Sequence, residues 1–213
     1  MTSQVPHGWA VTASVLARAE AMIQRGGRQI LGIAGTPGCG KSTLAEGLAA
    51  ALGDRAVVVP MDGFHLANRE LDRLGRRQRK GAPDTFDAHG YLALLQRIRR
   101  QRPDEIIYAP CFERAIEEPI ANAIPVLPDT PLVISEGNYL LLSQEPWAQV
   151  ADVFDACWFL DVDVATRRQR LVGRHMFFGR SHEAAEAWVD STDEPNARLI
   201  EQDRARASWI VGG

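Results

Sequence analysis

Lysine is almost missing from this chain: only Lys41 and Lys80 are lysines among its 24 basic residues, the others being arginines. The net charge of -3 leaves no general excess of positive charge, so affinity for nucleic acid is not expected. Cysteine is scarce as well. Cys39, Cys111 and Cys157 are odd in number, far apart and outside any paired metal spacing, which excludes a disulfide framework and a zinc site and leaves small buried thiols. No apolar run approaches the roughly 18 residues that a membrane span needs, and Met1 to His7 has neither the basic nor the apolar block of a secretory signal. A cytoplasmic location without a membrane partner is expected. Repeats, linkers and low-complexity tracts are absent too, so residues 1–213 are expected to form one domain.

What is present is an alternation of apolar segments. Val11, Val15, Leu16, Ala19, Met22 and Ile23 recur at helical spacing and predict an N-terminal helix over about 8–26, ended by Gly26-Gly27. Residues 30–34 read as a strand buried on both faces. A glycine-rich turn follows, then a helix from Lys41 with Leu44, Leu48 and Leu52 on one stripe, then a second buried strand over 56–59. Strand, helix and strand at this spacing form the right-handed crossover unit of a parallel sheet. The pattern returns with strands at 132–134, 157–160 and 208–211 and helices at 164–175 and 183–189. Between Gly63 and Pro131 seven prolines break the pattern, and only 91–100 reads as helix. Irregular stretches of that length inside a domain usually carry function.

Gly35-Thr36-Pro37-Gly38-Cys39-Gly40-Lys41-Ser42 fits G-x-x-x-x-G-K-[ST] between a predicted strand and a predicted helix, the context that supports a phosphate-binding loop. Glycines let successive backbone N–H groups turn inward, and the helix N-terminus adds partial positive charge. Gly35, Thr36, Gly38, Cys39, Gly40, Lys41, Ser42 and Thr43 form the expected nucleotide site. Lys41 is expected to reach the β- and γ-phosphates and Ser42 to ligate magnesium. Asp62 follows the second strand, so in a parallel sheet it should stand across the crevice from the loop, where a carboxylate can hold or deprotonate an attacking hydroxyl. Glu136, directly after the strand at 132–134, is the second candidate magnesium residue. Arg167, Arg168, Arg170, Arg174 and Arg180 read mostly as a solvated face, with Arg174 or Arg180 able to ride on a closing lid near Gly173 and Gly179. The basic stretch 73–80 reads as flexible exposed charge.

These motifs carry a resemblance. Gly35 to Ser42, Met61-Asp62-Gly63-Phe64-His65 and the run from Arg79 to Asp87 resemble the uridine kinase, phosphoribulokinase and bacterial pantothenate kinase superfamily. So do Ala109 to Arg114, Ser135-Glu136-Gly137-Asn138-Tyr139 and Asp193-Glu194-Pro195-Asn196-Ala197, so the similarity spans most of 30–211. Within that superfamily the chain most resembles bacterial nucleoside/nucleotide kinase-like proteins, among them those labelled as fructose transport system kinases. The resemblance implies an α/β, three-layer P-loop NTPase fold with a central parallel sheet of about five strands and a lid over about 174–182. It implies ATP and Mg2+ as cofactors, Asp62 as general base, Glu136 near magnesium and Arg174 as lid arginine. His65, Asp84 and Arg114, with Asp62, match acceptor-binding positions. Two departures stand out: the surroundings by which uridine kinases recognise a pyrimidine are not evident around 111–118, and the pantothenate-like Lys80-Gly81-x-Pro83 stretch lacks that enzyme's longer C-terminal region.

The expected activity is ATP-dependent phosphorylation of a hydroxyl on a sugar, nucleoside or pantothenate-like alcohol. The alternatives are a nucleoside monophosphate kinase, which would want more fixed arginines at the acceptor, and a P-loop GTPase or regulatory nucleotide-binding protein. No Asn-Lys-x-Asp segment for reading guanine is present. The expected partner is a small-molecule hydroxyl acceptor, with a homodimer left open.

Overall fold

Thr12 opens the first helix, α1 (Ala13–Ile23): its hydroxyl accepts from the Val15 N–H at 3.3 Å, one of the amides that a helix start leaves unpaired. The computed structural model describes residues 11–212, so positions 8–10 of the expected helix lie outside the described residues. After α1 come β1 (Gln29–Gly35), α2 (Lys41–Leu52) and β2 (Ala56–Val58), the elements that the apolar pattern predicts, though β2 is an edge strand and half-buried rather than buried. The irregular middle holds α3 (Asn68–Arg73), α4 (Ala88–Arg99) and a hairpin of β3 (Ile107–Glu113) and β4 (Glu118–Val126). Then follow β5 (Leu132–Gly137), β6 (Ala156–Asp161), α5 (Val164–Phe177), α6 (His182–Trp188), α7 (Glu194–Gln202) and β7 (Trp209–Gly212).

The five-stranded sheet runs β2-β5-β1-β6-β7 with every neighbour parallel. Strands β1 and β5 are buried along their whole length, which explains their unbroken apolar runs. Side chains alternate across the sheet. Leu31, Ile33, Leu132 and Ile134 pack with Leu44 and Leu48 of α2 and with Val15 of α1. Ile30, Val133 and Phe159 face the other way, onto Tyr91 and Leu95 of α4 and Trp147. The result is the three-layer α/β fold expected. The chain leaves β1 for β2 on one side and later places β6 on the other, so the carboxyl ends of β1 and β5 flank the point where the winding reverses, where ligands bind in open sheets.

The β3–β4 hairpin and α7 are findings beyond the sequence pattern. Pro110, Pro119 and Pro125 hid the hairpin, yet they are tolerated because each strand of a two-stranded ribbon is an edge, and the register shifts between Ala109 and Cys111. Pro195 lies in the first turn of α7, where a missing N–H is harmless. A π-helical turn over Val189–Asp193 joins α6 to α7. Among the described residues no helix is long and apolar enough to cross a membrane.

Candidate active site

The phosphate loop connects the end of β1 to α2, and it is shaped by its neighbours. Gly38 has a φ of +80°, and a Cβ there would come within 2.8 Å of Leu171 Cγ and 2.9 Å of the Arg167 carbonyl oxygen, so the loop lies against α5 with no room for a side chain. Arg167 is itself buried, donating to Glu194 Oε1 at 2.8 Å and to the Pro37 carbonyl at 3.5 Å. This corrects its reading as part of a solvated face: it ties α5, α7 and the loop together. Thr36 and Cys39 are buried in the loop, whereas Thr43 is exposed on the first turn of α2.

Lys41 is buried and donates to the Thr36 carbonyl at 3.0 Å. Ser42 Oγ donates to Glu136 Oε1 at 3.0 Å, bringing the two expected magnesium residues together from α2 and β5. Burial, reinforced by the negative charge of Asp62, pushes the Glu136 carboxyl up to about 7, against the pull of Lys41 and the Ser42 hydrogen bond. No cluster of three or more His, Cys, Asp or Glu side chains suited to a metal occurs among the described residues. The Ser42–Glu136 pair still fits magnesium, which takes one or two protein oxygens and completes its shell with phosphates and water.

Asp62 sits in a short 3-10 turn, Met61–Phe64, beyond β2. That turn is pressed against β5: a Cβ on Gly137 would fall 2.5 Å from Met61 Cβ. Asp62 Oδ2 lies 3.3 Å from Arg114 NH2, and Oδ1 lies 3.8 Å from His65 Nε2. Burial works to raise the Asp62 carboxyl, but the positive charges around it outweigh burial and hold it below the ordinary carboxylate value. His65 is pushed down to about 4, chiefly by burial. It is therefore neutral at pH 7, but it gains its proton in the acidic range where Asp62 titrates, and there it is the largest of the charges that lower Asp62, followed by Arg114, Lys41 and Arg174. The His65 ring stacks on Phe86 at 3.9 Å, and its buried Nδ1 has no hydrogen-bond partner among the described residues.

These groups open onto one cleft of about 320 Å³. Lys41, Ser42, Asp62, His65, Arg114 and Glu136 all line it, and so does Arg174 from α5. Burial lowers the Arg174 guanidinium from its ordinary value, with Arg114 adding to the effect. Asp84 is not brought in. Its carboxylate is exposed and held by Arg79 at 2.6 Å, outside the cleft lining. The segment expected as a lid over 174–182 is the corner between α5 and α6, where Arg180 stacks on Trp188 with its guanidinium carbon 4.0 Å from the ring centre.

Several lining residues escaped sequence reasoning. Lys80, within the stretch read as flexible exposed charge, is half-buried and donates to Asn68 Oδ1 at 2.6 Å and to the Glu117 carbonyl. His175 Nε2 lies 2.8 Å from Asp193 Oδ2, coupling α5 to the π-helical turn at the cleft wall. The helical spacing of Asp193 and Asn196 was the available signal for that wall, and Lys80's rarity was the signal for the other.

A parallel α/β sheet with a glycine-rich phosphate loop after β1 and an acid at the end of β5 defines a P-loop nucleotide-binding protein. Residues 30–207 match the phosphoribulokinase / uridine kinase family, and the chain belongs to that family. It is 36% identical over 205 residues to the Schizosaccharomyces pombe protein named "Putative uridine kinase C227.14", covering 91% of this chain and 87% of that protein. The crystal structure of a "putative fructose transport system kinase" from Silicibacter sp. TM1040 superposes with a TM-score of 0.83 at 40% identity, over 92% of this chain and 98% of that one. D-glycerate 3-kinase from Cryptococcus neoformans shares the fold, with a TM-score of 0.65 at 16% identity over 96% of each chain. Membership of that family supports a phosphotransferase and implies ATP as the phosphate donor.

Proposed function

We propose that this chain transfers the γ-phosphate of ATP to a hydroxyl of a small metabolite, a sugar, a nucleoside or a pantothenate-like alcohol. Asp62 is the observation that carries the reading. It stands in the same cleft as Lys41, Ser42 and Glu136, and the surrounding cations keep it ionised at neutral pH. A carboxylate there orients a hydroxyl in line with the γ-phosphate and accepts its proton as the new P–O bond forms. An acceptor that was itself a phosphate would bring a dianion against that carboxylate, which disfavours a nucleoside monophosphate kinase.

Lys41 is placed to meet the negative charge of the β- and γ-phosphates, and Arg174 to add charge over the equatorial oxygens of the transferring group. Ser42 and Glu136 would hold magnesium, which when bound neutralises phosphate charge. The remaining residues of the loop position the nucleotide through their backbone amides.

The test is ADP release from Mg·ATP across sugars, nucleosides, vitamin alcohols and nucleoside monophosphates, with products read by phosphorus NMR. A phosphomonoester on an alcohol is expected. Diphosphates formed from monophosphates alone, or strict dependence on GTP, would overturn the reading.

A further inference from the structure

The cations of the cleft come from two sets of elements. Lys41 lies on the phosphate loop, and Arg174 comes from α5 above it, both suited to ATP. Lys80, Arg77 and Arg114 line the same cleft, contributed by the 3-10 turn after α3 and by the tip of the β3–β4 hairpin, with Arg114 close enough to Arg174 to act on its charge. Arg114 is partly neutralised by Asp62, and Arg77 has only a distant partner in Asp72 at 3.9 Å. Lys80 forms no ion pair among the described residues, although Glu117, whose backbone carbonyl it binds, and Glu118 lie near enough to act on its charge.

Lys80 is nevertheless held in place. Its ammonium donates to Asn68 Oδ1 and the Glu117 carbonyl and lies 5.0 Å from the centre of the Phe112 ring. The next residue, Gly81, has its carbonyl bound by the Tyr139 hydroxyl and by Asn196 Nδ2 at 3.4 Å. Asn68 is fixed in turn, its backbone N–H donating to the Glu118 carboxylate at 3.0 Å and its Nδ2 to the Glu117 carbonyl at 3.0 Å. An ammonium has three donors, and the two protein acceptors leave one for a ligand in the cleft that Lys80 lines. Glu117, Glu118 and Asp62 lie near enough to favour the charged ammonium, yet none forms an ion pair with it and burial outweighs them, so a half-buried cation remains for a ligand anion to compensate.

We infer that Lys80, assisted by Arg77 and Arg114, forms an anion-binding subsite for the acceptor, so that the phosphorylated molecule carries a carboxylate or phosphate group as well as the hydroxyl presented to Asp62. The inference rests on the hydroxyl-kinase reading for the reacting end of the acceptor. A hydroxyl of a plain polyol or nucleoside can accept from the third Lys80 donor but brings no charge, whereas an anion accepts from it and also offsets Lys80 and the two arginines together.

Calorimetric titration tests the subsite separately from turnover. With the nucleotide site filled by the magnesium complex of a non-hydrolysable ATP analogue, inorganic phosphate and acetate are titrated into wild type, Lys80→Gln and Lys80→Arg. At least one anion should bind wild type, weaken roughly tenfold to hundredfold in Lys80→Gln and be largely retained in Lys80→Arg. The better of the two probes distinguishes a phosphate from a carboxylate acceptor. Binding of neither, or equal binding in Lys80→Gln, overturns the subsite. In turnover, polyols of three to six carbons are compared with their own carboxylates and terminal phosphates. Preference for the neutral members overturns the inference and leaves the hydroxyl reading standing. Lys80-dependent anion binding in a protein that phosphorylates only nucleoside monophosphates supports the subsite and overturns the hydroxyl reading instead.

Discussion

The Ser42 hydroxyl donates to Glu136 Oε1 across 3.0 Å, joining the first turn of α2 to the carboxyl end of β5. Two oxygens that already touch form a ready-made edge for a hard cation and fix where the nucleotide phosphates must lie. Ser42→Ala and Glu136→Gln should each raise the magnesium concentration for half-maximal turnover by roughly tenfold or more, the scale seen when ligands or their supporting partners are removed. Nucleotide binding without metal should change far less. A magnesium titration of ADP release checks this, and an unchanged midpoint in both variants would remove the pair from the metal site.

His65 gives a prediction about stability and pH. Its folded pKa is pushed down to about 4 by burial, while the unfolded side chain titrates near 6.5. Between those values the unfolded chain binds a proton that the folded chain refuses, so stability is complete above about 6.5 and falls as pH drops toward 4. The span corresponds to at most about 3 kcal/mol. His65→Gln has no such titration, so urea melts from pH 7 to 4 should show wild type losing more stability than the variant. Parallel curves for the two proteins would place the His65 pKa near its ordinary value.

The five strands of the sheet and α2 were legible from their apolar runs and the glycine turn, which report burial directly in β1 and β5, whereas the edge strand β2, expected to be buried, is only half-buried. The hairpin was not legible: its strands expose Tyr108 and Ile120, carry three prolines and pair only with each other, so local pattern and tertiary role disagree. At the site, residues next to a strand end were found, as Asp62 and Glu136 were, because topology alone places them. Lys80, His175 and Asp193 converge from separate segments, and their roles depend on distances that no single stretch encodes. Asp84 failed for the converse reason, since its motif is intact but Arg79 holds its carboxylate at the surface.

Gly137 tests how tightly the base is positioned. A methyl group there would meet Met61 Cβ at 2.5 Å and Met61 Sδ at 2.7 Å, and Met61 immediately precedes Asp62. Gly137→Ala should therefore cost about 1–3 kcal/mol through overpacking and shift the Met61–Phe64 turn. Turnover should fall while the KM for ATP, set mainly by the phosphate loop, moves little. Unchanged turnover together with an unchanged melting temperature would show that the turn does not need its close approach to β5.

Asp62→Asn separates catalysis from binding at the residue on which the proposed reaction depends. The substitution keeps the size of the side chain and part of its hydrogen bonding with Arg114, but removes the proton acceptor. ATP affinity should change little, since Asp62 faces His65 and Arg114 rather than the loop amides. Turnover should fall by about 10²- to 10⁴-fold, the usual contribution of a positioned base. Phosphoryl transfer through a loose transition state demands less proton removal at the moment of bond formation, which places the expected loss toward the lower end of that range. The pH profile supplies an independent reading: with Asp62 held below the ordinary carboxylate value, wild-type turnover should not decline on this residue's account until well below neutral pH. Weakened ATP binding with turnover preserved at saturation would make Asp62 a nucleotide or metal ligand instead. Full activity in the variant with its true acceptor would leave the hydroxyl mechanism without its base.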